Sequence, residues 1–201
     1  MKLFDVLHER LVLPSRYVTL ARLLAPHLPP DASVLDVGAG SGAIAAEILR
    51  LRPDLNIRGV DVLVREKTSV PVEPFDGEHL PFPDQSFDVV MFVDVLHHTP
   101  DAAVLLKEAA RVARRSVLLK DHNKDGFLAG PTLKFMDWVG NVRYKVPLPY
   151  NHWPRRRWRD TAANLGLTIS YWNEDLHLYP WPATYLFDRA FQFIAVLQPQ
   201  R

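Results

Sequence analysis

Apolar side chains set a rhythm from the start of the chain. Leu3, Phe4, Leu7 and Leu11, then Tyr17, Leu20, Leu23, Leu24 and Leu28, recur at three- and four-residue steps, the spacing of one helix face. This predicts a helical cap over residues 1–30, divided by Pro14 and ended by Pro29-Pro30-Asp31. From Ser33 the period changes. Val34, Leu35 and Val37 make the short apolar run of a buried parallel strand, and Gly38, Gly40 and Gly42 cut it off. Ala43, Ile44, Ala45, Ala46, Ile48, Leu49 and Leu51 then resume helical spacing with good helix formers.

The alternation continues. Pro53-Asp54 breaks the helix, and residues 56–61 read as a second strand ending in a carboxylate. Only residues 62–69 precede a third strand at 70–75, short for a parallel crossover, and Pro71 and Pro74 place that strand at an edge. A polar loop over 76–88 leads into a fourth buried strand, 89–93, which ends in Asp94-Val95-Leu96-His97-His98. Residues 101–114 are helical, with Asp101 as N-cap, a buried stripe of Val104, Leu105, Ala109 and Val112, and Lys107, Glu108 and Arg111 facing water. Residues 116–120 form a fifth strand. An insertion over 123–153 carries one helix around Leu133, Phe135, Met136 and Val139, and a second helix runs from Pro154 to its stop at Gly166. Residues 168–172 and 189–197 close the pattern as two strands able to pair antiparallel. Strands alternating with helices predict an α/β fold in one domain spanning 1–201.

Composition adds exclusions. The chain has 201 residues, 48% of them hydrophobic and 23% charged, and a net charge of +1; that balance gives no general attraction to nucleic acid or anionic lipid. It has no cysteine, which removes disulfides, thiolate zinc sites and cysteine nucleophiles. Asp5, His8, Glu9 and Arg10 interrupt the N-terminal apolar residues, unlike a secretory signal, and no window is apolar enough for a membrane span. A cytoplasmic protein, monomer or homodimer, is expected.

The chemistry concentrates at the C-terminal ends of the strands, where open α/β sheets bind ligands. A glycine turn between strand and helix brings backbone N–H groups close to a ligand. Asp61 lies 19 residues beyond Gly42, the position at which a carboxylate accepts from a ribose diol in Rossmann-type sites. Gly38-Ala39-Gly40-Ser41-Gly42-Ala43 also satisfies a loose dinucleotide pattern, so an NAD-dependent oxidoreductase stays open at this point.

D-V-G-A-G-S-G at 36–42, Val60-Asp61, the Asp76–Asp88 loop with Leu80-Pro81-Phe82, and Val95-Leu96-His97-His98 together closely resemble the class I S-adenosylmethionine-dependent methyltransferases, in the branch of the ubiquinone/menaquinone-type (type 11) enzymes. The match covers about 34–122. The resemblance implies S-adenosyl-L-methionine as cofactor and a Rossmann-like, doubly wound seven-stranded sheet of order 3-2-1-4-5-7-6, with strand seven antiparallel. It also implies roles: Asp36, Gly38, Ala39, Gly40 and Gly42 around the methionine part, Asp61 and Val62 at the ribose, Asp76, Gly77 and Glu78 at the adenine, and Asp94 and Val95 near the sulfonium. The missing crossover helix after Asp61 departs from the family.

Methyl transfer needs alignment of the acceptor and, where it carries a proton, a base. His97, His98, Asp121 and His122 are the candidates, His122 beside Asp121 being preferred. His97, His98, His122 and His152 offer imidazoles for a metal but lack carboxylate-plus-histidine helix spacing, so no metal is expected. Arg155, Arg156, Arg157 and Arg159, near Trp153 and Trp158, read as a solvated helix face rather than a nucleic-acid contact. Trp138, Tyr144, Tyr150 and Trp181 are expected to divide between core and acceptor pocket. The reading is O- or C-methylation of a small apolar or aromatic metabolite enclosed by the N-terminal cap and the insertion. A non-catalytic cofactor-binding regulator is the rival from another class.

Overall fold

The central strands have no polar face. Val34, Leu35, Val37, Val89, Val90, Met91 and Phe92 are all fully buried, so a sheet built from them must be covered on both sides. The computed structural model describes residues 13–126, 128–141, 150–178 and 191–200, without the side chains of 13, 14 and 136–141. Its seven strands are β1 (Ser33–Val37), β2 (Asn56–Asp61), β3 (Val72–Pro74), β4 (Phe87–Val93), β5 (Ala113–His122), β6 (Leu167–Asn173) and β7 (Gln192–Pro199). They lie in the order β3-β2-β1-β4-β5-β7-β6, parallel except that β7 runs antiparallel to β5 and β6. The expected order and the antiparallel strand are both present.

Helices α1 (Leu13–Leu24) and α2 (Ala43–Leu51) cover one face, packing Leu20, Leu24, Ala45 and Ile48 on Val34, Met91, Leu118 and Ile194. Helices α3 (Ala102–Val112) and α5 (Arg155–Asn164) cover the other, with Leu105, Ala109 and Trp158 on Leu35, Phe92, Val117 and Phe193. Helix α4 (Ala129–Asn141) supplies the expected helix of the insertion, and Leu133 and Ala129 pack on Phe191. Tyr144 and Trp181 lie outside the described residues, as does the side chain of Trp138. No helix among the described residues is long and apolar enough to cross a membrane.

No helix links β2 to β3 and β3 lies at the edge, as expected. Three local readings change. The third strand shrinks from the expected 70–75 to three residues, where Pro71 and Pro74 cannot donate to a ladder. Strand β5 is longer than its apolar run because β7 pairs with Asp121 and His122 as well. On α3, Val104 is 40% exposed and Leu106 takes its place in the stripe.

Glu108 and Arg111 are also engaged rather than simply solvated. Arg111 donates to the carbonyls of Phe82 (2.8 Å) and Leu80 (3.1 Å) and to Asp84 (2.9 Å), while Glu108 accepts from the Leu80 N–H at 3.0 Å. These two side chains clamp the Leu80-Pro81-Phe82 loop and seat Leu80 in the core. The planar guanidinium reaches several acceptors at once, which an ammonium on a single point cannot match. Arg111→Ala should therefore cost about 1–3 kcal/mol in urea unfolding. Hydrogen exchange should rise over 80–84, and Arg111→Lys should recover only part of the loss; wild-type exchange in the alanine variant would count against the clamp.

Candidate active site

The turn after β1 is folded over β2: the N–H groups of Gly38 and Ala39 both donate to the Val60 carbonyl, at 2.8 and 3.2 Å. At Gly38 (φ 75°) a Cβ would stand 2.5 Å from Val95 Cγ2. Glycine is what lets the turn meet the segment after β4. Helix α2 starts at Gly42 with no side-chain cap, so its first N–H groups open onto the same turn.

Asp61 closes the turn from β2. Its two carboxylate oxygens accept from the Gly40 N–H (2.7 Å) and the Leu63 N–H (2.8 Å), and each retains acceptor capacity for a ligand hydroxyl. Asp36 stands behind, 4% exposed. Burial first, and the charge of Asp61 second, push its carboxyl up to about 7. A cation at the turn would reverse that shift, so Asp36 fits a positively charged ligand group. Val62 is next to Gly77, its Cγ1 3.1 Å from where a Cβ would lie. Asp76 accepts from the N–H groups of Glu78 (2.8 Å) and His79 (2.6 Å) and pairs with His79 Nδ1 at 3.0 Å. Those bonds hold its carboxyl down at about 2, so it faces the loop as a fixed anion. For Glu78 the structure gives only this backbone bond.

Toward the other end of the edge, Asp94 (φ 58°) collects cations. Arg16 of α1 donates to it at 2.7 Å, and Lys120 of β5, fully buried, contacts both Asp94 and Gln192 of β7. Burial alone would raise the Asp94 carboxyl; Lys120 and then Arg16 outweigh it and hold the group below the usual carboxylate range.

Beside this lies a histidine cluster. Buried Asp121 accepts from His97 Nδ1 (2.7 Å), the His122 N–H (2.7 Å) and the Leu96 N–H (3.0 Å). Burial opposes its charge, but the His97 and His122 imidazoles hold it well below the ordinary range. An ionised carboxylate only accepts, so His97 carries its proton on Nδ1. His122 is pushed down to about 4, chiefly by burial, and its ring meets His97 edge-on at 4.6 Å. His98 lies against His97 at 4.0 Å and His152 stacks on it at 5.3 Å. The segment bearing His152 is tied down by the Asn151 N–H to the His97 carbonyl (3.2 Å).

The sequence-predicted residues thus fall into two groups on one edge, Asp36 to Gly77 and Asp94 to His122, joined where Val95 meets Gly38. Sequence reasoning missed Arg16 and Gln192, which look like ordinary polar positions on a helix and a strand. It also passed over Lys120 within the fifth strand, although a lysine closing the apolar run Val117-Leu118-Leu119 was a signal.

A seven-stranded sheet of this order, with a glycine turn after β1 and an acid ending β2, is the fold of the class I S-adenosylmethionine-dependent methyltransferases. Residues 35–119 match the family model described as a methyltransferase domain; they are a domain of that class, whose cofactor is S-adenosylmethionine. A 2-methyl-6-phytyl-1,4-hydroquinone methyltransferase of Synechocystis sp. is 33% identical over 138 residues, 64% of this chain and 38% of that protein. A tRNA U34 carboxymethyltransferase of Campylobacter curvus is 36% identical over 98 residues, 43% of this chain and 33% of that one. The chain spans less than half the length of these relatives. The fold is shared with an S-adenosylmethionine-dependent methyltransferase structure from Mesorhizobium loti, at a TM-score of 0.66 and 16% identity over 88% of this chain and 96% of that one.

Asp36 yields a test. Its folded-state value lies above that of the unfolded chain, so it favours folding below about pH 4 and progressively loses that contribution as pH rises to about 7. Asp36→Asn should leave stability near pH 4 almost unchanged and raise it at pH 8, by at most on the order of 3–4 kcal/mol, while weakening S-adenosylmethionine binding. Parallel melting curves of variant and wild type across pH 4–8 would contradict the assignment.

Proposed function

We propose that the chain transfers a methyl group from S-adenosylmethionine to the oxygen or carbon of a small apolar or aromatic acceptor. The observation that carries this reading is the oriented pair of His97 and Asp121, buried on the same sheet edge as the glycine turn. When bound, the cofactor supplies a methyl group already activated on a sulfonium. Asp36 and the backbone of Gly38, Ala39, Gly40 and Gly42 hold its methionine end; Asp61, with Val62 beside it, receives the ribose hydroxyls; Asp76, Gly77 and Glu78 border the adenine; Asp94 and Val95 lie toward the acceptor.

On the acceptor side, Asp121 fixes the ring of His97 so that Nε2 is its proton-accepting atom, the arrangement by which a carboxylate orients an imidazole base. This favours His97 over His122 for taking an acceptor's proton. The His122 imidazole, held neutral by burial, has little affinity for one; with His98 it shapes the wall. A small acceptor is preferred to nucleic acid because the arginines of α5 are already engaged. Arg155 pairs with Glu174 and Arg156 with Asp160, while Arg157 lies over Trp153 at 4.2 Å and Arg159 over Trp172 at 5.6 Å.

Calorimetry should find S-adenosylmethionine bound and NAD not bound; the reverse would sink the reading. Asp61→Ala should lose about 1–3 kcal/mol of cofactor affinity, the cost of leaving polar partners unpaired. With labelled cofactor, label should pass to a quinol or phenol fraction of a cell extract and not to its RNA. His97→Ala should cut that turnover by ~10²-fold or more with cofactor affinity held. Cofactor binding without transfer to any fraction would instead mark a regulatory protein.

A further inference from the structure

Three histidines from segments distant in sequence meet beside the proposed acceptor site. His97 comes from the turn Leu96–His98 after β4, His122 from the end of β5, and His152 from the segment before α5. All three are buried, and one ring nitrogen from each lies within 4.8 Å of the others. We propose that His97, His122 and His152 form a divalent metal site, of zinc type, that presents an open coordination position to the acceptor oxygen. The metal's role in activation rests on the methyltransferase reading; its binding does not.

Four features support a built site. The ligand set is all imidazole, which suits zinc, cobalt, nickel or copper and not the oxygen-seeking magnesium or calcium. Three protein ligands with a fourth position open is the arrangement of catalytic zinc. Nitrogens bound to one tetrahedral zinc stand about 3.4 Å apart, so ring rotations that close the set by up to about 1.4 Å complete it. The supporting contacts are also in place. Asp121 accepts from His97 Nδ1 at 2.7 Å, turning Nε2 into the ligand atom, as the carboxylates behind metal-bound histidines do. The His122 carbonyl accepts from Trp158 Nε1 at 3.1 Å, and Asn151 ties the His152 segment to His97.

Arg16 and Lys120 both pair with Asp94, and Asp121 pairs with His97, so a divalent ion makes the cluster net positive. An acceptor hydroxyl or carboxyl fits such a position best: with the ion bound, His97 Nε2 is a ligand and no longer the base, so the hydroxyl loses its proton to solvent on binding, and its oxygen keeps the electron pair for the methyl group. The sequence lacks the short histidine spacings that advertise zinc because the ligands are 25 and 30 residues apart (122 − 97 and 152 − 122).

The test uses the full chain, stripped with a chelator and titrated with cobalt(II) and zinc(II). One equivalent should bind, with the visible absorption of four-coordinate cobalt, bleached by zinc, and zinc should raise the melting temperature. His152→Ala and the volume-keeping His152→Phe should each weaken binding at least ~10-fold, the usual effect of losing a metal-site partner, and abolish the cobalt bands. His177→Ala, at a side chain 76% exposed, should change nothing. Less than one equivalent bound, or binding that survives both His152 variants, overturns the proposal. Calorimetry with S-adenosylmethionine on the same samples separates the claims: cofactor binding without metal binding defeats only the metal site, and metal binding without cofactor binding defeats only the methyltransferase reading.

Discussion

The buried ammonium of Lys120 is the constraint around which the sheet edge is arranged. An ion of this size taken from water into the interior costs several kcal/mol unless excellent partners replace the solvent. Here the partners come from two sides, Asp94 after β4 and Gln192 at the start of β7, while Arg16 of α1 shares Asp94 as a second cation. Removing Asp94 would strand two cations, and removing Lys120 would leave the carboxylate with Arg16 alone. Each element that meets at the acceptor end is therefore held in register by charge neutralisation as well as by apolar packing. Hydrophobic contact alone tolerates sliding; a buried ion with directional donors does not.

The two ends of the edge solve different problems with different materials. The end proposed for the cofactor is made from backbone N–H groups, from Asp61 and Asp76 nearer the surface and from buried Asp36, so it offers hydrogen bonds and negative potential where a ligand carries hydroxyls and positive charge. The end proposed for the acceptor is made from imidazoles and the carboxylates of Asp94 and Asp121, largely shut away from water, where electrostatic effects on a reacting oxygen are larger. Asp36 shows what this division costs the apo chain: its charge is disfavoured by burial until a cation arrives. Part of the fold's stability is thus exchanged for affinity, a common trade at functional sites.

Much of this was legible in the sequence because it is local. The β1 run, the glycine turn, the α2 helix and β2 with its terminal Asp61 are each encoded within a few residues, and they appear where the pattern places them. Asp101 caps α3 as its position predicts. What the pattern concealed depends on partners far along the chain. Arg16 and Asp94 are 78 residues apart, Lys120 and Gln192 72, and no period in either segment announces the pairing. Glu108 and Arg111 sit on the polar side of an amphipathic helix, as solvated residues do; only the folded loop over 80–84 shows that they are anchors. Charged residues reveal their environment through contacts, whereas apolar ones reveal theirs through periodicity.

The antiparallel β7 has a consequence for the order in which the molecule matures. The parallel strands β1, β2 and β4 pair among residues 33–93, whereas the acceptor end needs a strand that begins at Gln192. Contacts of such sequence separation form late, since a long loop must close before they add stability. A nascent chain can hence shape its cofactor turn while Lys120 is still open to water. Docking of β7 supplies Gln192, buries the ammonium and pairs with Asp121 and His122 at the end of β5 in one step. On the proposed function, competence to activate an acceptor is then the last property the chain acquires, and a chain stalled before that step lacks the completed acceptor end.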